Sequence, residues 1–290
     1  MTKPIGKRTA RMAANGFLSI PGLHHVGRVL ARSGYLPERV WAGFPLTKVV
    51  TFRLQGTALR YEVKPGDYVG MPLYWRGEGG YEPETFAAIK SRLGRASTFF
   101  DVGANTGLFS LFAAALNREA AVWAFEPSPE TGAQLRRNIS INGFGNRIRI
   151  VDAAISDAVG TAEFYVPDAV FATSASLSPS GNTLSPDRKV VTRVETIDNF
   201  CKNAPLPDFV KIDVEGWEAN ALAGMQSVIA TRKPDILLEV LDDAPRERLE
   251  ALLVPHGYRF GHITDRGIVW RDRFGAGSAG VHRNWLCQAT

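Results

Sequence analysis

Residues 99–110 read FFDVGANTGLFS, and the reading of this stretch decides the fold class. An apolar run, Thr98–Val102, enters it with Asp101 near its end. Gly103 and Gly107 follow, with Ala104 and Asn105 between them, and an apolar helix pattern, Gly107–Leu116, leaves it. This is a strand–turn–helix unit whose glycines permit a tight turn and the close approach of a ligand. A P-loop would end in Gly-Lys-Ser/Thr. Here the turn ends Gly107–Leu108–Phe109, which offers no lysine for a triphosphate and no hydroxyl for its magnesium. The dinucleotide fingerprint has a G-x-G-x-x-G spacing, whereas these glycines stand as G-x-x-x-G, and Asp101 would repel a pyrophosphate. A carboxylate in that place suits a cationic ligand.

Outward from this unit, strands and helices alternate. Almost wholly apolar strands are expected at Ala121–Phe125, Arg147–Val151, Phe209–Val214 and Asp235–Val240. Helices are expected at Pro83–Leu93, Pro129–Asn142, Glu218–Ile229 and Pro245–Leu253. Apolar strands separated by helices predict a parallel sheet covered on both faces. Thr161–Val166 and Lys189–Val194 intrude as two extra strands, and Tyr258–Ile263 and Asn284–Ala289 close the chain as antiparallel edge strands. Before the sheet, residues 1–45 read as short helical pieces broken by Gly and Pro, and Thr47–Leu54 with Ala58–Val63 reads as a β-hairpin. The expected division is an N-terminal extension over 1–80 and a catalytic domain over 81–290. Residues 167–188, rich in Ser, Thr, Pro and Gly, read as a lid or substrate loop with Ser174 and Ser176 as polar acceptor contacts; a plain surface insertion is the alternative.

Three acids fall at successive strand ends. Asp101 ends the first, Glu126–Pro127 follows the second, and Asp152–Ala153 follows the third. The carboxyl edge of a doubly wound sheet is where ligands bind, and an acid after the second strand is where ribose hydroxyls are held. Asp152 can accept from an adenine amino group, and Ala153 leaves room for the ring. A nucleoside with a cationic tail fits this set, and the ligand inferred is S-adenosylmethionine. A second constellation, KIDVEGWE, spans residues 211–218. Lys211, Asp213 and Glu215 alternate at a strand end, so they share one face or its continuation. Charges are out of place in the interior of a parallel strand but not at its carboxyl edge. Asp213 is the first choice for a base that takes a proton from an attacking hydroxyl. Lys211 either holds Asp213 ionised or acts as the base itself, and Glu215 and Glu239 complete an acidic rim. Trp217 opens the next helix beside the acceptor. A divalent metal on Asp213, Glu215 and Glu239 is open but not favoured, because Lys211 competes for the same carboxylates.

The series FFDVGANTGLFS, AFEPSPET, VDAAISD, TIDNF, KIDVEGWE and ILLEV resembles the FkbM family of methyltransferases over roughly residues 80–245. The resemblance implies a class I methyltransferase fold: a Rossmann-like, doubly wound, mostly parallel seven-stranded α/β sheet with an antiparallel edge strand. It implies S-adenosylmethionine as methyl donor and usually a hydroxyl oxygen as acceptor, often on a sugar, a glycan or another natural product. Carried over by position, it sets Asp101, Gly103, Ala104, Asn105 and Gly107 along the methionine part, Glu126 and Pro127 at the ribose, Asp152 and Ala153 at the adenine, and Glu82 at the amino group.

The bulk numbers exclude little else. The chain has 290 residues, 45% of them hydrophobic and 22% charged, which suits a folded protein with a real core. Cys201 and Cys287 are too few and too far apart for a disulfide framework or a zinc site and read as buried reduced thiols. No apolar run reaches the roughly 18–20 residues of a membrane span, and the N-terminus lacks a signal-peptide pattern, so a cytoplasmic protein is expected. The net charge of +5 is uneven: residues 1–60 carry +9 and the rest −4. This basic arm is a candidate contact for a membrane surface or an acidic partner, and it lacks the aromatic–basic interleaving that would point to specific nucleic-acid binding. A homo-oligomer is left open. The competing readings are methyl transfer to nitrogen or to a macromolecule, an NAD-dependent oxidoreductase, and a nucleoside-binding module without catalysis.

Overall fold

A computed structural model describes residues 23–41, 44, 46–166, 188–275 and 282–290. The loop containing Ser174 and Ser176 lies outside the described residues, as does the first part of the basic arm. The chain forms two compact units, Met1–Pro83 and Glu84–Thr290.

In the first unit, helices α1 (Leu23–Arg32) and α2 (Glu38–Trp41) precede a hairpin of β1 (Lys48–Leu54) and β2 (Thr57–Val63). The two strands pair antiparallel from Lys48↔Val63 to Leu54↔Thr57. Gln55 and Gly56 make the turn at φ 48° and 83°, the positive values that a two-residue hairpin turn needs to match strand twist. Helix α3 (Gly70–Arg76), which no periodicity in the sequence announced, packs on α1 and on the hairpin and brings Trp75 into the core beside Trp41 and Phe44.

The second unit is a doubly wound α/β fold. Its elements are α4 (Pro83–Leu93, starting at the unit boundary), β3 (Thr98–Val102), α5 (Leu108–Leu116), β4 (Ala121–Phe125), α6 (Pro129–Asn142), β5 (Ile148–Val151), β6 (Ala154–Ile155), β7 (Gly160–Val166), β8 (Arg188–Glu195), α7 (Ile197–Phe200), β9 (Phe209–Ile212), α8 (Glu218–Ala223), α9 (Gln226–Arg232), β10 (Asp235–Glu239), α10 (Arg246–Leu253), β11 (Tyr258–Thr264), β12 (Gly267–Arg271) and β13 (Asn284–Ala289). The main sheet has the order β12-β11-β13-β10-β9-β3-β4-β5. The run from β10 to β5 is parallel, and the three strands on the other side are antiparallel.

Eight strands, not seven, therefore form this sheet among the described residues, and its antiparallel side has three strands where the sequence pattern locates two. The extra strand is β12, which folds back on β11 through a short turn at Asp265–Arg266 and pairs from Phe260↔Arg271 to Thr264↔Gly267. The intruding strands β7 and β8 do not join the main sheet; with β6 they form a separate three-stranded sheet.

All five residues of β3 are buried. One layer against the main sheet contains Phe100, Phe125 and Phe200, whose rings meet at 5.0–5.7 Å. In another cluster Phe86 of α4 stacks on Phe109 of α5 at 4.4 Å and meets Phe112 edge-to-face at 5.1 Å. Each fully buried aromatic of this kind contributes about 1.5–3 kcal/mol over exposure. Helix α6 has sharp ends for local reasons. Ser128 accepts from the Thr131 amide, Pro129 opens the helix, and Gly143 closes it at φ 71°. The segment expected as one helix over Glu218–Ile229 is two, α8 and α9, broken at Gly224. A Cβ there would overlap the Ser156 carbonyl, so the chain turns where packing admits only glycine. Cys287 is buried and Cys201 only partly so; both are free thiols.

Candidate active site

The chain winds outward from β3 through β4 to β5, then returns to β9 on the opposite side of β3. The switch point is thus the boundary between β3 and β9, at whose carboxyl end doubly wound proteins bind ligands. The parallel register puts Asp101 directly beside Lys211 there, two residues of opposite charge on neighbouring strands.

Lys211 is the hub. Its Nζ lies 3.1 Å from Asp213 Oδ2 and 3.6 Å from Asp101 Oδ1, donates to the Gly103 carbonyl at 3.1 Å, and sits 5.0 Å over the Phe109 ring. The Lys211 side chain is 6% exposed, Asp101 0% and Asp213 27%, so Asp213 is the member of the triad that solvent reaches. Burial pushes the Asp101 carboxyl above its ordinary range, opposed by Lys211 and by the Ser110 hydroxyl, which donates to Oδ2 at 2.6 Å. Burial also opposes ionisation of Asp213, but Lys211 and a hydrogen bond with Glu239 outweigh it and hold that carboxyl below its usual value. Asp101 was expected to face a cationic ligand. The cation it faces is Lys211, and Ser110 gave no signal in the sequence.

Glu215 sits past the end of β9 at φ 54°. Burial, then Asp213 and Glu218, raise its carboxyl to about 7. Glu218, the last residue of KIDVEGWE, is buried and accepts from the Val214 and Gly216 amides at 3.2 and 2.9 Å, which shapes the turn that carries Glu215. Trp217 caps α8 and donates through Nε1 to Ser156 Oγ at 2.9 Å, so it is anchored on the corner between β6 and β7.

The glycine turn is held from β4. The Gly103 and Ala104 amides donate to the Phe125 carbonyl at 3.1 and 3.0 Å. Glu126 is buried and accepts from the Asn105 and Ser128 amides at 2.9 and 2.8 Å, and burial pushes its carboxyl up to about 7 against those two bonds. Asn105 adopts φ 51°, a left-handed conformation that asparagine tolerates. The glycines answer to the protein itself. A Cβ on Gly103 would overlap the Asp213 carbonyl oxygen, and one on Gly107 would overlap Leu135 of α6. Both also have positive φ, 73° and 92°. Packing within the protein therefore requires glycine at both positions, against a strand end at Gly103 and against a helix at Gly107.

Pro127 leads into Ser128, the cap of α6, and Ala153 is fully buried behind the third strand end. Asp152 is exposed, and both its oxygens accept from Arg136 of α6 at 2.6 Å. Its carboxylate is therefore already paired, where an adenine amino group was expected. Glu82 belongs to the first unit, at φ 41°. Glu239 ends β10 at the Asp213 carboxyl. No group of three or more His, Cys, Asp or Glu arranged to hold a metal ion occurs among the described residues. His262 is stacked on Trp285 at 4.3 Å with Nε2 2.8 Å from the His282 carbonyl.

The methyltransferase FkbM domain family matches residues 101–265, more than half of the chain. The chain belongs to this family. Among its relatives is the methyltransferase sdnD of Sordaria araneosa, 30% identical over 146 residues, or 49% of this chain and 52% of that protein. Another is the 31-O-demethyl-FK506 methyltransferase FkbM of Streptomyces tacrolimicus, 28% identical over 187 residues, or 55% of this chain and 71% of that protein. The chain thus spans about half the length of the first relative. A solved structure, the methyltransferase FkbM of Methylobacillus flagellatus, aligns with a TM-score of 0.42 at 14% identity over 98% of this chain and 59% of that one. The family's match starts at Asp101 and so takes in both the glycine turn and KIDVEGWE.

Proposed function

We propose that this protein transfers a methyl group from S-adenosylmethionine to a hydroxyl oxygen of a sugar, glycan or other natural product. The observation that carries the reading is the meeting of Asp101, the glycine turn and the Lys211–Asp213 pair at the switch point of the sheet. The relative from Streptomyces tacrolimicus, whose name describes an O-methyltransferase, supports oxygen as the acceptor.

The residues present fit the methyl donor. Glu126 is held by two amides, one on each carboxyl oxygen, and has hydrogen-bonding capacity to spare, which suits a pair of ribose hydroxyls. When bound, S-adenosylmethionine supplies a methyl group on a positively charged sulfur. Asn105 and the backbone of Gly103–Gly107 would hold its methionine part. Lys211 keeps Asp213 ionised. Asp213 orients the acceptor hydroxyl and takes its proton as the oxygen attacks. Positioning of this kind is worth several kcal/mol of barrier, and a placed base adds about 10²–10⁴-fold. Lys211 stays charged and close to Asp101, so the positive charge of the site is already balanced.

Glu215 is the second reading for the base. Its carboxyl lies at about 7, near the value at which a general base works best at neutral pH, whereas Asp213 is a weaker base held ionised. Two measurements test these readings together. Calorimetry with S-adenosylmethionine and NAD decides the ligand, and NAD binding without methyl-donor binding would sink the proposal. Asp213→Asn is expected to keep methyl-donor affinity and lose at least about 10²-fold in turnover. If that variant retains turnover and Glu215→Gln loses it together with the limb of the pH profile near 7, the base is Glu215.

A further inference from the structure

Helix α1, LHHVGRVLAR, is turned opposite to the usual sense of an amphipathic helix. It buries Gly27 and Ala31 on the first unit and leaves Val26 and Val29 each 51% exposed and Leu30 40% exposed. These three stand at i, i+3 and i+4, so they form one stripe on one face. His25 and Arg32, both exposed, stand along one side of it, and Tyr35, 82% exposed, follows just past the helix. The buried face is specific. Small residues let α1 lie close to α3, with the Arg28 guanidinium 5.1 Å over the Tyr74 ring. The exposed stripe therefore does not come from a loosely held helix.

We propose that this face of α1 docks the protein on an anionic phospholipid bilayer. Apolar side chains at helical spacing, a tyrosine and an arginine beside them are the makeup of a helix that lies in the membrane–water interface. Charge decides the occupant. Residues 1–60 carry +9 in sequence, and α1 itself holds two arginines and no acid, so a second copy would set like charge against like charge. An anionic bilayer attracts the same charge, by about five-fold in affinity for each basic residue that reaches the surface. Insertion is shallow, since no helix among the described residues is long and apolar enough to cross a membrane. Anchoring this unit would favour acceptors at the membrane surface over freely diffusing ones.

The test uses the full chain and co-sedimentation with phosphatidylglycerol–phosphatidylcholine vesicles and with pure phosphatidylcholine vesicles. Binding to the anionic vesicles is expected, falling with added salt. Val29→Glu with Leu30→Glu is expected to weaken it at least about ten-fold, from lost apolar burial and added repulsion. Val191→Glu, at a 72% exposed position of the second unit, is expected to leave it unchanged. Circular dichroism checks that all variants stay folded. Failure of the wild type to sediment at low salt overturns the proposal, as does equal binding by the double variant. So does a wild-type dimer in light scattering that the double variant dissolves, which would make a second copy the occupant.

Discussion

Replacing Lys211 by Met leaves Asp101 without its counter-charge. Asp101 has 0% exposure, its Oδ1 faces only Lys211, at 3.6 Å, and Ser110 serves the other oxygen. Methionine keeps most of the length of the side chain but loses the ammonium that sits over Phe109, so the packing loss is small and the effect is electrostatic. Removing one partner of a buried pair costs about 3–5 kcal/mol. Asp213, 27% exposed, is re-solvated easily and adds little. Asp101 can limit the damage by taking up a proton. Its pKa in the folded protein is already raised by burial, so the native state binds that proton more tightly than the unfolded chain does. The associated stability is fully present below the ordinary carboxyl range and is lost as pH rises through the native value. Loss of Lys211 raises that value further and carries the loss towards neutral pH. Lys211→Met should therefore cost about 3 kcal/mol at pH 8 and markedly less at pH 5.

Adding Asp101→Asn removes the stranded charge while leaving an oxygen for Ser110, so the double variant should recover about 2 kcal/mol of the loss. Urea unfolding gives the magnitudes, and amide exchange at Val102 and Ile212 assigns them to this sheet and not to the first unit. A cost below about 1 kcal/mol for Lys211→Met at pH 8, or no recovery with Asp101→Asn, would refute the argument that Asp101 depends on Lys211.

Two further outcomes follow from the same geometry. Gly103→Ala should cost about 3 kcal/mol in urea unfolding, from a left-handed residue and an overlap with the Asp213 carbonyl that only a backbone shift relieves; a cost under 1 kcal/mol would show that the turn is loose. Glu126 titrates at about 7 when folded against 4.5 ordinarily, so stability should fall as pH rises between those values, and Glu126→Gln should remove about 3 kcal/mol of that fall. The check is urea unfolding at pH 5 and pH 8, and an unchanged slope would place the Glu126 titration elsewhere.

What the sequence disclosed and what it withheld divide along one physical line. Helix α6 was legible to the residue because each of its ends is set locally, by Ser128, Pro129 and Gly143. Strands β3 and β4 were legible because five apolar or buried residues in a row bounded by turn residues have few other uses. Gly103 was legible as a turn but not in its reason, because the atom it avoids belongs to Asp213, on another strand. The break at Gly224 is set by Ser156 in the same way. Asp101 and Lys211 were both named from strand-end position, yet their pairing depends on the register of β3 on β9, which no local pattern carries. Helix α1 read as helical but not as reversed, since periodicity shows that a face exists and not which face the rest of the unit accepts.

The contacts of Lys211 also narrow its own role. An ammonium has three N–H bonds in a compact tetrahedral head. Two acceptors stand at hydrogen-bond distance, the Gly103 carbonyl and Asp213 Oδ2, and Asp101 Oδ1 faces it as an ion pair at 3.6 Å. Acting as a base requires a neutral amine with a free lone pair aimed at the substrate. That would mean giving up one of these contacts and leaving a buried carboxylate facing a neutral nitrogen, the most costly arrangement available in the site. A planar guanidinium in its place would present five donors in a fork, suited to one carboxylate and not to three oxygens on two strand ends. Lysine at position 211 is thus explained by positioning. One charged nitrogen holds the glycine turn through its backbone, neutralises Asp101 behind it and keeps Asp213 ionised in front. Under the proposed function the same side chain would set both the methyl-donor side and the acceptor side of the site, and proton removal would fall to Asp213 or Glu215 and not to Lys211.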